Sequence, residues 1–86
     1  MESTSDWREI KYQETFEAEF QWLEHRRAKD PSCTVEDIEA TLRNLFLLQG
    51  DGHDGRGDVQ ETSLSASIAA YELFISNWRA EMERRE

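Results

Sequence analysis

The sequence predicts an all-α fold: a three-helix antiparallel bundle with a long third helix and a glycine-rich loop between helices 2 and 3. Three observations carry that expectation. Apolar residues recur at three- and four-residue spacing in three separate segments. Each segment opens with a residue pair of capping-box type. All four glycines fall between Gly50 and Gly57, in the run GDGHDGRG. Glycine reaches positive φ without steric cost, so such a cluster marks where helix must stop. The 86 residues make one domain, 1–86, with no room for a second independent core.

Helix 1 is expected over about residues 6–28. Asp6 and Glu9 have capping-box spacing, with Ser3 and Ser5 as competing caps. Tyr12, Phe16, Phe20 and Leu23 follow 4-4-3 spacing and form its core stripe. Trp7, Ile10 and Trp22 lie off that stripe. The basic residues Arg26, Arg27 and Lys29 close the helix, where cations complement the dipole. Asp30-Pro31 ends it, because the residue before proline disfavours the helical region.

Helix 2 is expected over 35–49. Thr34 and Asp37 form a capping box, and Cys33 packs on Ile38 as a hydrophobic staple. Val35, Ile38, Leu42, Leu45 and Phe46 are its apolar face. Leu47 and Leu48 point away from that stripe, so residues 45–48 are apolar nearly all round. Such a helix end is normally enclosed on more than one side.

Helix 3 is expected over 59–83, with Asp58 and Glu61 as its opening pair. Leu64, Ile68, Tyr71, Ile75, Trp78 and Met82 make a heptad seam. A second stripe of mostly small residues (Thr62, Ala66, Ala69, Leu73 and Ala80) runs along the opposite side. Large residues on one face and small ones on the other imply a helix packed on both sides. A lone bundle needs only one stripe, so the pattern argues for a homodimer or another protein partner.

Composition narrows the function classes. The formal charge is −9, from 19 acidic and 10 basic side chains spread along the chain. An acidic surface repels phosphate backbones and anionic lipid, so direct binding to nucleic acid or membrane is not expected. The single cysteine, Cys33, rules out an internal disulfide and a zinc-finger arrangement. The opening MESTSDWREI is polar and lacks the apolar stretch of a secretion signal, which makes the cytoplasm the expected location. Leu45 to Leu48, the longest apolar run, is far too short to span a bilayer.

The segment 50–57 is the one place where chemistry concentrates. It does not fit an EF-hand: with Gly57 at the sixth position, Gly52 falls at the first, Arg56 at the fifth and Ser63 at the twelfth. Gly50, Gly52 and Gly55 match GxGxxG, yet they follow a helix rather than a strand, and the neighbouring acids repel phosphate. An improvised cation site from Asp51, His53, Asp54 and Asp58 is the remaining alternative, and it would make the chain a ligand- or cation-responsive domain. Arg56-Gly57-Asp58 spells an integrin-binding tripeptide and is read as coincidence.

Catalysis has little to stand on. His25, His53 and Cys33 sit on three different segments. Glu36-x-x-Glu39 resembles a carboxylate pair of the all-helical nucleotide pyrophosphohydrolases. Those metal-dependent hydrolases need further acidic pairs on a following helix, where helix 3 offers serine and alanine. No catalytic residue and no cofactor is therefore assigned. The expected function is a protein–protein interaction or assembly module. Its interface candidates are Trp7, Trp22, Leu47, Leu48, Ala66, Ala69, Leu73 and Ala80, since aromatic anchors bury large areas at low entropy cost.

Overall fold

The computed structural model describes residues 5–51 and 58–85. They form three helices, α1 (Ser5–Lys29), α2 (Val35–Asp51) and α3 (Asp58–Arg85), and no strand occurs among the described residues. α1 is described from Ser5, so the backbone of Asp6 lies within the helix rather than just before it. α2 runs on through Gly50 and Asp51, two residues that the glycine pattern assigns to the loop. The remainder of that loop, 52–57, lies outside the described residues.

The link between α1 and α2 is built as its sequence dictates. The Asp30 N–H still bonds the Arg26 carbonyl at 2.9 Å, and the Cys33 N–H closes a turn onto the Asp30 carbonyl at 3.0 Å. The Asp30 carboxylate accepts from the Ser32 N–H (3.1 Å) and hydroxyl (2.7 Å), an Asx-turn arrangement around Pro31. Those bonds hold its carboxyl below the usual aspartate range, with Arg26 helping.

α2 then opens on a complete capping box. The Thr34 N–H donates to Asp37 Oδ2 at 3.1 Å, and the Asp37 N–H donates to Thr34 Oγ1 at 3.2 Å. Both satisfy N–H groups that have no partner within the helix. Thr34→Ala is expected to cost about 1 kcal/mol of stability. Urea denaturation measures that directly, and an unchanged midpoint would contradict the cap's role.

α3 is the central element. α1 and α2 each pack against it, and among the described residues no close backbone contact joins α1 to α2, whose side chains share one core cluster around Leu23. Phe20 meets Phe74 and Arg27 meets Glu81, so α1 and α3 run in the same direction. Glu39 pairs with Arg79, while Gln49 lies beside Glu61 and Leu64, so α2 runs the opposite way. Consecutive helices thus reverse direction, as an antiparallel bundle requires.

The core gathers Leu23 of α1, Cys33, Val35 and Ile38 of α2 and its cap, and Tyr71, Phe74 and Ile75 of α3. Phe20, Leu42, Leu45 and Trp78 pack around them. One chain of rings links α1 to α3. Phe16 stacks on Phe20 at 6.1 Å, Phe20 meets Phe74 edge-on at 5.7 Å, and Phe74 meets Trp78 edge-on at 5.7 Å. Each such pair contributes about 0.5–1.5 kcal/mol beyond its buried area.

Several residues depart from the expected faces, and the central position of α3 explains most of them. Because α3 is gripped by two helices, it buries two stripes. Ile68 and Ile75 lie on the stripe that continues to Arg79, the partner of α2, while Tyr71 lies between the stripes, beside Glu19 and Trp22 of α1. Ala66, Ala70 and Phe74 lie at i, i+4, i+8 on the stripe that meets α1. The second face of α3 is therefore filled largely from within the chain, and Phe74 is one of its main residues. Phe46 is exposed rather than core, because α1 makes no close backbone contact with α2 that would cover it. Tyr12 is exposed as well: it faces Thr62 and Ser65, which are too small to cover a ring. Met82, past the Arg79–Glu39 pair, is also exposed.

Candidate functional site

The cation reading centres on four residues. His53 and Asp54 lie outside the described residues, and only the backbone of Asp51 and Asp58 is described. Among the described residues, no group of three or more His, Cys, Asp or Glu side chains is placed to hold a metal ion. Cys33 is buried in the core cluster that also holds Ile38, its thiol 3.9 Å from the Thr34 carbonyl oxygen. His25 is exposed on the last turns of α1.

The Glu36–Glu39 pair faces a cation of the protein's own. Arg79 donates through Nε and Nη2 to Glu39 Oε2 at 3.0 and 2.6 Å, and Glu36 adds to the same field. This pair bridges α2 to α3 on the surface, where such bonds contribute little stability but fix relative position.

Two grooves flank the contact between α1 and α3. One, of about 360 Å³, is lined by Phe20, Glu24, Arg27, Phe74, Trp78 and Glu81. Its aromatic face is already used: the Arg27 guanidinium sits 4.1 Å above the Trp78 ring and bonds Glu81 at 2.8 Å. The other groove is bounded by Glu19, Trp22 and Tyr71. There the Ser67 hydroxyl donates to Glu19 Oε2 at 3.2 Å. Burial pushes the Tyr71 hydroxyl above its usual range, Glu19 adds to the effect and Arg26 opposes it. In each groove one polar pair is bonded within the chain, Arg27 to Glu81 in the first and Ser67 to Glu19 in the second.

The interface candidates separate clearly by exposure. Ala66 is fully buried within the chain, so it belongs to the fold and not to a free surface. Ala69 is half-buried, while Leu73 and Ala80 are exposed on α3. Trp7 and Trp22 are exposed on α1, each beneath an arginine of its own helix, Arg8 at 5.4 Å and Arg26 at 5.7 Å. Leu47 and Leu48 are the most open of the large apolar candidates, at 67% and 54% of their surface.

Phe46, assigned to the core by spacing, joins them at 43%. Three consecutive large apolar residues are thus exposed on the C-terminal half of α2. A signal for this was present in the sequence: residues 40–50 contain no acidic side chain, and Arg43 is their only charge. Their neighbours are charge-dense.

No helix among the described residues is long and apolar enough to cross a membrane. The chain matches no protein-family model, no characterised protein and no solved structure at a significant level.

Proposed function

We propose that this protein is a protein–protein interaction or assembly module acting through the outer surface of α2, in a reducing compartment such as the cytoplasm. The observation that carries this reading is the exposure of Phe46, Leu47 and Leu48 on a helical stretch with a single charged residue. Contiguous apolar surface of this kind mostly marks contact sites, because keeping it in water is unfavourable. The remaining surface is acidic and mixed, which keeps the chain soluble and disfavours direct contact with nucleic acid.

The test compares the tagged chain with Leu47→Glu in affinity capture from the cells that make it. Leu47 is open to solvent, so the substitution leaves the fold intact. The expected result is that one or more stoichiometric partners, or further copies of the chain, are retained by the parent and lost from the variant. Identical capture by both would contradict this surface as the site of action.

A further inference from the structure

We infer that the outer face of α2 pairs with the same face of a second copy of this chain, antiparallel about a two-fold axis near Arg43 and Asn44. This inference rests on the reading of α2 as the contact surface and names its occupant.

Charge comes first. Each copy carries a formal charge of −9, so two copies repel unless they meet where carboxylates are absent. Residues 40–50 are the longest acid-free run in the chain. The next longest, 62–71, lies in α3, where Ala66, Ser67, Ile68, Ala70 and Tyr71 are buried. The C-terminal half of α2 is therefore the longest acid-free stretch that is also exposed. A basic partner would instead find its charge complement on the exposed glutamates of α1, such as Glu14, Glu17 and Glu24.

Shape is the second argument. Ala40 and Leu47 are one heptad apart, so both lie on the outer face of α2, and both are exposed. A two-fold contact must be self-complementary, with residue i on j and j on i. Antiparallel pairing centred between residues 43 and 44 sets each Leu47 against the partner's Ala40, a large side chain over a small one. It also brings the two Asn44 amides beside the axis, where each can donate to and accept from the other, and leaves the exposed Arg43 side chains on its other side.

The third argument is the size of the core. Leu23 and Ile38 are the only large side chains that are fully buried among the described residues. A chain this short buries only about 60–65% of the surface its unfolded state exposes, and self-association is a common remedy.

Sedimentation equilibrium over a wide concentration range tests the pairing, together with air oxidation of Asn44→Cys. The parent is expected at twice its 10.1 kDa mass and Leu47→Glu at the single mass, with the same helical circular dichroism. Asn44→Cys should form a disulfide-linked dimer. Glu72→Cys, exposed on α3, and the parent, whose Cys33 is buried, should not. A parent that stays monomeric at every concentration overturns the self-pairing. In that case, Leu47-dependent capture of a different protein would leave the interaction reading standing, and its absence would remove both. A dimer that survives Leu47→Glu, or that fails to cross-link through Asn44→Cys, places the contact elsewhere and overturns the inference.

Discussion

Leu23→Ala is expected to destabilise the protein by roughly 2–5 kcal/mol, the range for a large apolar side chain deleted from a packed interior. Leu23 is fully buried, and among the described side chains of α1 no other has that status. It belongs to the same core cluster as Val35 and Ile38 of α2 and Tyr71, Phe74 and Ile75 of α3. Deleting its branched end leaves a void at the one place where side chains of all three helices belong to one cluster, and α1 cannot close that void without separating from α3. A domain of this size holds on the order of 5–10 kcal/mol in total, so the variant should be marginal at room temperature. Trp22→Ala is the control. Trp22 is the neighbouring residue and larger, but half of its surface is open and its ring meets Arg26 of the same helix. Its loss should cost under about 1 kcal/mol, as for surface changes with a modest cation–π contact. Urea denaturation of both variants gives the comparison. Equal midpoints would mean that the core is not organised around Leu23.

The contrast between these two residues also shows what was legible in the sequence. On α1, the 4-4-3 stripe placed Leu23 inside and left Trp22 outside, and both are found there. The Thr34–Asp37 box was equally legible, because a cap is a local contact between residues three apart. Phe46 and Phe74 were not. Helical spacing reports which residues share a face, but not whether another helix arrives to cover it. Phe46 sits beside Leu45 on an apolar sector, and no close packing of α1 on α2 covers it. Phe74 lies between the heptad seam and the small stripe of α3, and neither stripe claimed it.

The candidate site was legible to a similar degree. Leu47 and Leu48 stood out because no stripe claimed them, and the acid-free run 40–50 marked the same stretch independently. The chemistry-bearing segment 50–57 was located by its glycines, and its two central candidates, His53 and Asp54, lie outside the described residues. Ala66 was placed on an interface because small residues signal close approach of a helix, whichever helix that is, and here it is buried within the chain.

That close approach leads to the second large effect. Ala70→Glu is expected to prevent folding at room temperature. Ala70 is fully buried on the stripe Ala66–Ala70–Phe74, and Phe74 meets Phe20 of α1. A methyl at this position lets the backbones of α1 and α3 come together, and a longer side chain must push them apart. The carboxylate would have no cation partner in the apolar contact, and a buried unpaired charge is disfavoured by several kcal/mol, comparable to the whole stability of the domain. Separation of the helices would also break the Phe20–Phe74 edge contact and, beyond it, the Arg27–Glu81 bond at the end of the same contact. Ala70→Leu isolates the steric part from the charge: it should cost about 1–3 kcal/mol, as overpacking does. Ala80→Glu provides the opposite case, since Ala80 is exposed on the same helix and the change should stay within about 0.5 kcal/mol. Far-UV circular dichroism and thermal melts rank the three variants. If Ala70→Glu folded with the parent's midpoint, α1 would not lie on this stripe, and a close contact between α1 and α3 would have to be sought on another face of α3.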